Sequence, residues 1–488
     1  MLFLLLIRLY HIAGPIVDHQ SWNQISAASM AKNLHYDWQT WLHPKVDIFP
    51  SPEVTSRVYA QEFLLYHIPV ALLYELVGVQ EWPGRLVSIS FGLLGLWYWF
   101  LLSRRLFGDR VAFITLIIMG VSPLNWYYHR AVMPDSCMVT AMVAGCYYFY
   151  LWLDEQVNHK YLVYSLLWTM AAGLFKIFGL VVGVTYLLLI LLRRDFALFK
   201  QPKLYVFAIL AWLPTLLWIY HVLNLKEGIT EFTHINNMNQ IRHPELLLSW
   251  DFYSRIFLSR LIDQTLTPWA AIFCIIGLFS CNLKDRRYHL PLAWVLGSLL
   301  FLIIVQRGNY RHDYYQMFFA PGLALFAAIG VEQTFHWKKI RRSTHHKVLT
   351  ILFGLFLIHS TKYVYNHFQY DIGSYLTGKK IAELSHNPDD RVLSLDVGVR
   401  QYNQLVYYSQ RAGWYLWDPN VEALQAYLPL GAKWLGVHMK LDTDFKKYQS
   451  LLQQINTMYP KVWEDRNSVD RYGQPVITQV YDLSLKQK

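Results

Sequence analysis

The fold class this sequence predicts is a polytopic, all-α membrane protein of about eleven transmembrane helices with a small extracytoplasmic α/β domain at its C-terminal end. Three observations predict it. The 488 residues are 54% hydrophobic and only 16% charged, far from soluble usage. Long apolar segments recur from Met1 to about His367, separated by short polar loops. After His367 the composition changes to that of a soluble domain, which divides the chain into residues 1–366 and 367–488.

Each element follows from these patterns. Met1–Val17 is apolar but lacks a basic stretch before its core and a small-residue cleavage site, so it reads as a retained first span. Leu86–Leu102, Val111–Leu124, Leu204–Tyr220, Leu290–Val305 and Val348–His359, with their flanks, approach the roughly 20 apolar residues a helix needs to cross a bilayer. Lys and Arg gather in alternate loops: Arg104 to Arg110, near Lys160, Arg193 to Lys203, Lys284 to Arg287, and Lys338 to Lys347. Placing this set in the cytoplasm puts the N-terminus inside and the C-terminal domain outside. That arrangement requires Glu62–Gly78 to lie along the outer interface without crossing. In the C-terminal domain, Tyr375–Ser385 and Asp442–Tyr459 have helical patterns, while Arg391–Asp396, Lys433–His438 and Pro475–Tyr481 read as strands.

The net charge of +11 is largely accounted for by the basic loops, which face anionic lipid, so nucleic acid is excluded as a partner. Cys137, Cys146, Cys274 and Cys281 lie in or beside apolar spans with no metal spacing and read as small core residues. No phosphate-binding glycine loop, HExxH motif or internal repeat is found.

Chemistry concentrates in the other set of loops. Gly14–Trp22 places Asp18 at the outer end of the first span. Ser122–Asp135 carries Arg130 and Asp135. Lys176 ends another span, and Gln306–Gln316 carries Arg311, His312, Tyr314 and Tyr315. Taken singly, the cations can be snorkelling anchors, Asp313 a helix cap and the tyrosines an interfacial belt. Together they describe an outer-leaflet site of several cations and at least two carboxylates, which suits a lipid phosphate joined to a polar group.

Asp18 with Trp22, Gln61–Tyr66 leading to Gly78, Glu81–Leu86, Tyr127–Asp135, and His312–Tyr315 leading to Pro321 occur in an order that resembles the polyprenyl-phosphate-sugar-dependent glycosyltransferases of the GT-C fold. The nearest groups are glycosyltransferase family 39, with the protein O-mannosyltransferases, and the aminoarabinose transferases that modify lipid A. This resemblance implies Asp18 and Asp135 as catalytic carboxylates, with Asp18 the base of an inverting transfer. Glu62, Arg130, Lys176, Arg311, His312, Tyr314 and Tyr315 are then the substrate-binding candidates. The donor would be a polyprenyl-phosphate sugar, the acceptor a lipid, glycan or protein, and the location a bacterial inner membrane. No cofactor is required, no metal ligand set is evident, and Glu62 is compatible with binding a divalent cation. The sequence departs from the mannosyltransferases in having Asp18-His19 where they carry two adjacent acids. A transporter or flippase of lipid-linked sugars and a surface-polysaccharide polymerase or ligase are the alternatives.

Overall fold

The computed structural model describes residues 1–485 except 156–157, 226, 228–240, 242, 337–341, 369–371, 398–402, 441–442 and 471–472. Lys338 to Arg341 of the last basic loop therefore lie outside the described residues. Among the described residues, six helices are long and apolar enough to cross a membrane: Trp82–Val121, Asp135–Asp154, Pro202–Asn224, Trp250–Phe279, Arg286–Ile304 and Ser343–His367. Shorter apolar rods run alongside them, among them His159–Phe175, Val182–Arg193 and Ala320–Thr334. The chain is a multi-pass membrane protein.

Trp82–Val121 is two helices in one. Gly108 has φ 84° and ψ 177°, a left-handed conformation that glycine tolerates without a Cβ penalty, and the chain folds back there between Arg105 and Arg110. At this end of the bundle Arg105 reaches Asp154 (3.3 Å) and Glu155 (3.5 Å), Arg193 reaches Asp154 (2.9 Å), and Arg110 reaches Glu332 (3.2 Å). Among the described residues, the basic side chains of Arg105, Arg110 and Arg193 thus share one end. If that end is cytoplasmic, a cysteine replacing Asp109 should be protected from an impermeant thiol reagent in intact cells, and one replacing Arg466 should be labelled. Both sites are open, with side chains 78% and 81% exposed. A Cys281→Ser background removes the one native thiol among the four that is not buried. The reverse labelling pattern would invert the orientation.

Two expectations for the early chain meet different outcomes. Residues 1–17 do not form a long helix: Leu2–Arg8 is helical and the chain then turns. The cause is local. Arg8 bends inward to donate to the carbonyls of Leu4 (2.9 Å) and Gly120 (2.8 Å). Arg85 collects the carbonyls of His11, Ile12, Gly14 and Pro15, which holds this stretch in the turn that follows the helix. By contrast, His67–Val77 is, as expected, too short to cross: 11 residues cover ~17 Å of helix. It packs beside the helix Ser21–Tyr36.

Helix Thr267–Phe279 meets Ala320–Thr334 backbone to backbone. A Cβ on Gly277 would run into the Phe326 carbonyl, and one on Gly330 into that of Phe273. Small residues permit this approach, which substitutes dispersion contact for the hydrophobic drive that is absent in lipid. Ahead of this pair, Ser254–Leu266 is wound as a π-helix, a geometry often found at functional sites, and it ends at Thr267 with φ 64°.

The C-terminal region carries a five-stranded sheet of β1 (Arg391–Val397), β2 (Gly413–Tyr415), β3 (Ala432–Lys440), β4 (Lys461–Asp465) and β5 (Val476–Asp482) in the order β2-β1-β3-β5-β4. β1 lies parallel to β2 and β3, and β5 antiparallel to β3 and β4. Alternate residues face opposite layers. Val392, Trp434 and Val480 meet Ile381 of helix Gly373–Leu384, while Leu393, Leu435 and Val437 meet Leu451 and Ile455 of helix Thr443–Met458. β2 does not end the sheet. Phe49 N–H donates to the Gly413 carbonyl (2.8 Å) and Gly413 N–H to that of Asp47 (3.1 Å), so the loop after the first helices continues the ladder.

Candidate active site at the loop end of the bundle

At the end opposite the basic loops, the predicted residues fall into two clusters joined by aromatic rings. In the first, Lys176 ends helix His159–Phe175, and its extended backbone aims the side chain at Asp135, the first residue of helix Asp135–Asp154. The Lys176 ammonium lies 2.9 Å from Asp135 Oδ2 and 3.6 Å from Glu62 Oε1, and 5.2 Å from the centre of the Tyr314 ring. Asn23 donates to the Tyr314 hydroxyl (3.2 Å), and His312 packs against both Tyr314 and Tyr315. Asn23, Tyr59, Gln61, Glu62 and Lys176 line a small cleft here. Burial weakens the Lys176 charge, but Asp135 and then Glu62 outweigh it and hold the ammonium more firmly protonated than usual. Burial also pushes the Glu62 carboxyl up, against the pull of Lys176, with Asp135 adding to the rise. Lys176 stands in the position that a divalent cation shared by these two acids would take. His312 is pushed down to about 4 by burial and by the Lys176 charge, so at neutral pH it offers a neutral hydrogen-bonding ring and not a cation.

The second cluster is organised around Asp18. Its carboxylate accepts from Gln24 (2.8 Å) and from Arg130 (3.2 Å), with Arg85 at 3.9 Å, and all three charged side chains are almost wholly buried. Arg130 also donates to the His11 carbonyl and stacks on Phe368. Sequence reasoning places Asp18 and Arg130 as base and phosphate ligand. The structure pairs them with each other, which ties the Gly14–Gln20 turn to the Tyr127–Asp135 loop. Gln24, which also accepts from Val132 N–H (3.0 Å), was not anticipated.

Between the clusters, Tyr128 meets Tyr314 edge to face and donates to Asp313 Oδ1 (2.6 Å). Asp313 Oδ2 lies 3.0 Å from His19 Nε2 and 3.9 Å from His367 Nε2. Burial disfavours the Asp313 charge, but His19 and then His367 more than compensate and hold its carboxyl well below the usual range. These groups open into a 480 Å³ cavity that Arg255, Arg260, Arg311 and Tyr363 also line. Arg311 therefore belongs to this cavity and not to the cleft of Lys176. Arg260 is braced by the carbonyls of Asn309 and Tyr310. Among the described residues, the polar cavity and the acid–lysine cleft lie at the same end of the bundle.

The fold that carries this site is the GT-C fold. Residues 65–221 match the family described as dolichyl-phosphate-mannose-protein mannosyltransferase. The chain is similar in structure to ArnT from Cupriavidus metallidurans bound to undecaprenyl phosphate, with a TM-score of 0.69, 14% identity, and 98% of this chain and 96% of that one covered. It is also similar to the Archaeoglobus fulgidus oligosaccharyltransferase, at TM-score 0.60 and 12% identity, covering 96% and 72%. A third similar structure is the mycobacterial arabinofuranosyltransferase AftD, at TM-score 0.54 and 13% identity, covering 99% of this chain and 41% of that one. No curated protein matches the chain in sequence.

Proposed function

We propose that this protein is a membrane glycosyltransferase that moves a sugar from a polyprenyl-phosphate donor to an acceptor hydroxyl or phosphate on the extracytoplasmic face of a bacterial inner membrane. The observation that carries this reading is the Lys176 ammonium held between Asp135 and Glu62 beside a cavity lined by three arginines, at the end of the bundle away from the basic loops. In the transfer the acceptor oxygen attacks the anomeric carbon, the bond from that carbon to the phosphate oxygen breaks, and the phosphate leaves with the electron pair, inverting the anomeric centre. A base must take the acceptor's proton and cations must hold the leaving phosphate. Glu62 is suited to the first task because its proton affinity is raised and its side chain is 18% exposed at the cleft. Asp135, fixed by Lys176, orients the acceptor, and Arg255, Arg260 and Arg311 suit the phosphate. Asp18 acts through its ion pairs as a positioning residue for the turn that carries His19 and Gln20. The polar groups cluster at one end of the bundle and not at mid-depth, which favours a transferase over a transporter.

Native mass spectrometry of the detergent-purified protein should find a co-purifying polyprenyl-phosphate species, and Glu62→Gln should reduce transfer from that donor by at least ~100-fold, the scale of a lost general base. Absence of any such lipid and of any transfer by the wild type would defeat the reading, and undiminished transfer in Glu62→Gln would remove Glu62 as the base.

A further inference from the structure

We propose that His19, Asp313 and His367 form a binding site for a divalent transition-metal ion, opening onto the arginine-lined cavity. One ligand atom from each residue lies within 4.8 Å of the other two. Bonds of ~2.1 Å set at tetrahedral angles put ligand atoms ~3.4 Å apart, so the separations of 3.0 Å (His19 to Asp313) and 3.9 Å (His367 to Asp313) lie within half an ångström or so of that spacing, and the two imidazoles, within 4.8 Å of each other, must close toward it when the ion binds.

The surrounding hydrogen bonds orient each ligand. His367 Nδ1 faces the Tyr363 carbonyl at 3.0 Å, and a carbonyl can only accept, so Nδ1 carries the proton. In the neutral ring that leaves the Nε2 lone pair directed at a carboxylate oxygen 3.9 Å away, beyond hydrogen-bond reach. A cation between them converts that opposition into two bonds. On Asp313, Tyr128 (2.6 Å) and Gln20 (3.3 Å) both donate to Oδ1 and leave Oδ2 to face the two imidazoles. Donors on the far side of a ligand are the usual supporting shell of a metal site. His19 N–H donates to the His367 carbonyl (3.1 Å), which locks the two histidine-bearing segments in register.

Two imidazoles and one carboxylate leave positions open, the pattern of a site that binds substrate and not of a purely structural one. The open side faces Arg255, Arg260 and Arg311, which would repel a bare cation but welcome an anion bound to it. A phosphate oxygen is the fitting further ligand. This last assignment rests on the transferase reading, whereas the metal site does not.

The test is Co²⁺ titration of metal-stripped, tag-free full-length protein in detergent, followed by visible absorption. One equivalent should bind with the ligand-field bands of a nitrogen and oxygen site. His367→Ala and Asp313→Ala should lose those bands, and Tyr128→Phe, which keeps all three ligands, should weaken affinity by ~10- to 100-fold. Thermal melting and gel filtration establish that each variant is folded. No bound Co²⁺ in the wild type, or equal binding in all three variants, overturns the site. Stoichiometric Co²⁺ binding with transfer unaffected by stripping would retain the site and overturn its contact with the phosphate, independently of the co-purified lipid.

Discussion

Asp18→Asn is expected to destabilise the folded protein by roughly 3–5 kcal/mol, because it leaves the buried Arg85 and Arg130 guanidinium groups without their shared carboxylate. Transfer should fall with it, since the turn bearing His19 and Gln20 loses its anchor. The measurement is thermal unfolding in detergent alongside transfer from the lipid donor. A general base would behave otherwise: its amide variant keeps the fold and loses only the chemistry. Wild-type melting with abolished transfer would restore Asp18 as the base and displace Glu62. The double variant Asp18→Asn with Arg130→Met, which removes charge from both sides of the closer pair, should recover part of the stability but not the activity.

Lys176→Met is expected to reduce transfer to a small residue, because it leaves Asp135 and Glu62 as two acids with no cation between them. One must then hold a proton, as like charges at close range cannot both ionise cheaply. The direction with pH is fixed. Glu62 already binds its proton more tightly than an ordinary carboxyl, with burial and Asp135 raising it and Lys176 opposing them. Without the ammonium the rise is larger, so residual activity should climb at more alkaline pH than in the wild type. Lys176→Arg keeps the charge and should retain part of the activity, though a planar fork fits a point-charge site poorly. An unshifted pH profile in Lys176→Met would remove Glu62 from the proton transfer.

How much of this could be read from the chain depended on whether a residue's signal was local. The multi-span architecture, the fold-back near Gly108 and the three longer strands follow from runs of like residues. β4 escaped notice because Lys461-Val-Trp-Glu-Asp465 is an outer strand with a charged, half-exposed surface, and β2 because three residues carry no period. Lys176 and Asp135 are visible as polar groups at span ends and Glu62 through the family resemblance, although nothing in their spacing indicates that they touch. His367 and Asp313 each have a commonplace local reading, as an interfacial residue and a helix cap, and only tertiary packing sets them against His19. Arg260 lies in a π-wound segment, where the face predicted from 3.6 residues per turn is wrong. The buried fate of Asp18 and Arg130 had no sequence signal, since their partners Arg85 and Gln24 come from other elements.

The main-chain pairing of Gly413 with Asp47 and Phe49 gives the C-terminal sheet a border made by a distant part of the same polypeptide. A fragment beginning near Gly373 would therefore present β2 with its outer row of amide and carbonyl groups bare, a template on which further copies can add strand to strand. The same stitching makes the sheet a reporter of the loop. Lys32 pairs with Asp47 at 2.5 Å and lies 4.6 Å from the centre of the Tyr407 ring, and Ile16 N–H donates to Tyr408 at 2.6 Å. The C-terminal sheet is thereby tied by side-chain contacts to the segment that leads into the turn carrying His19 and Gln20, at the rim of the cavity.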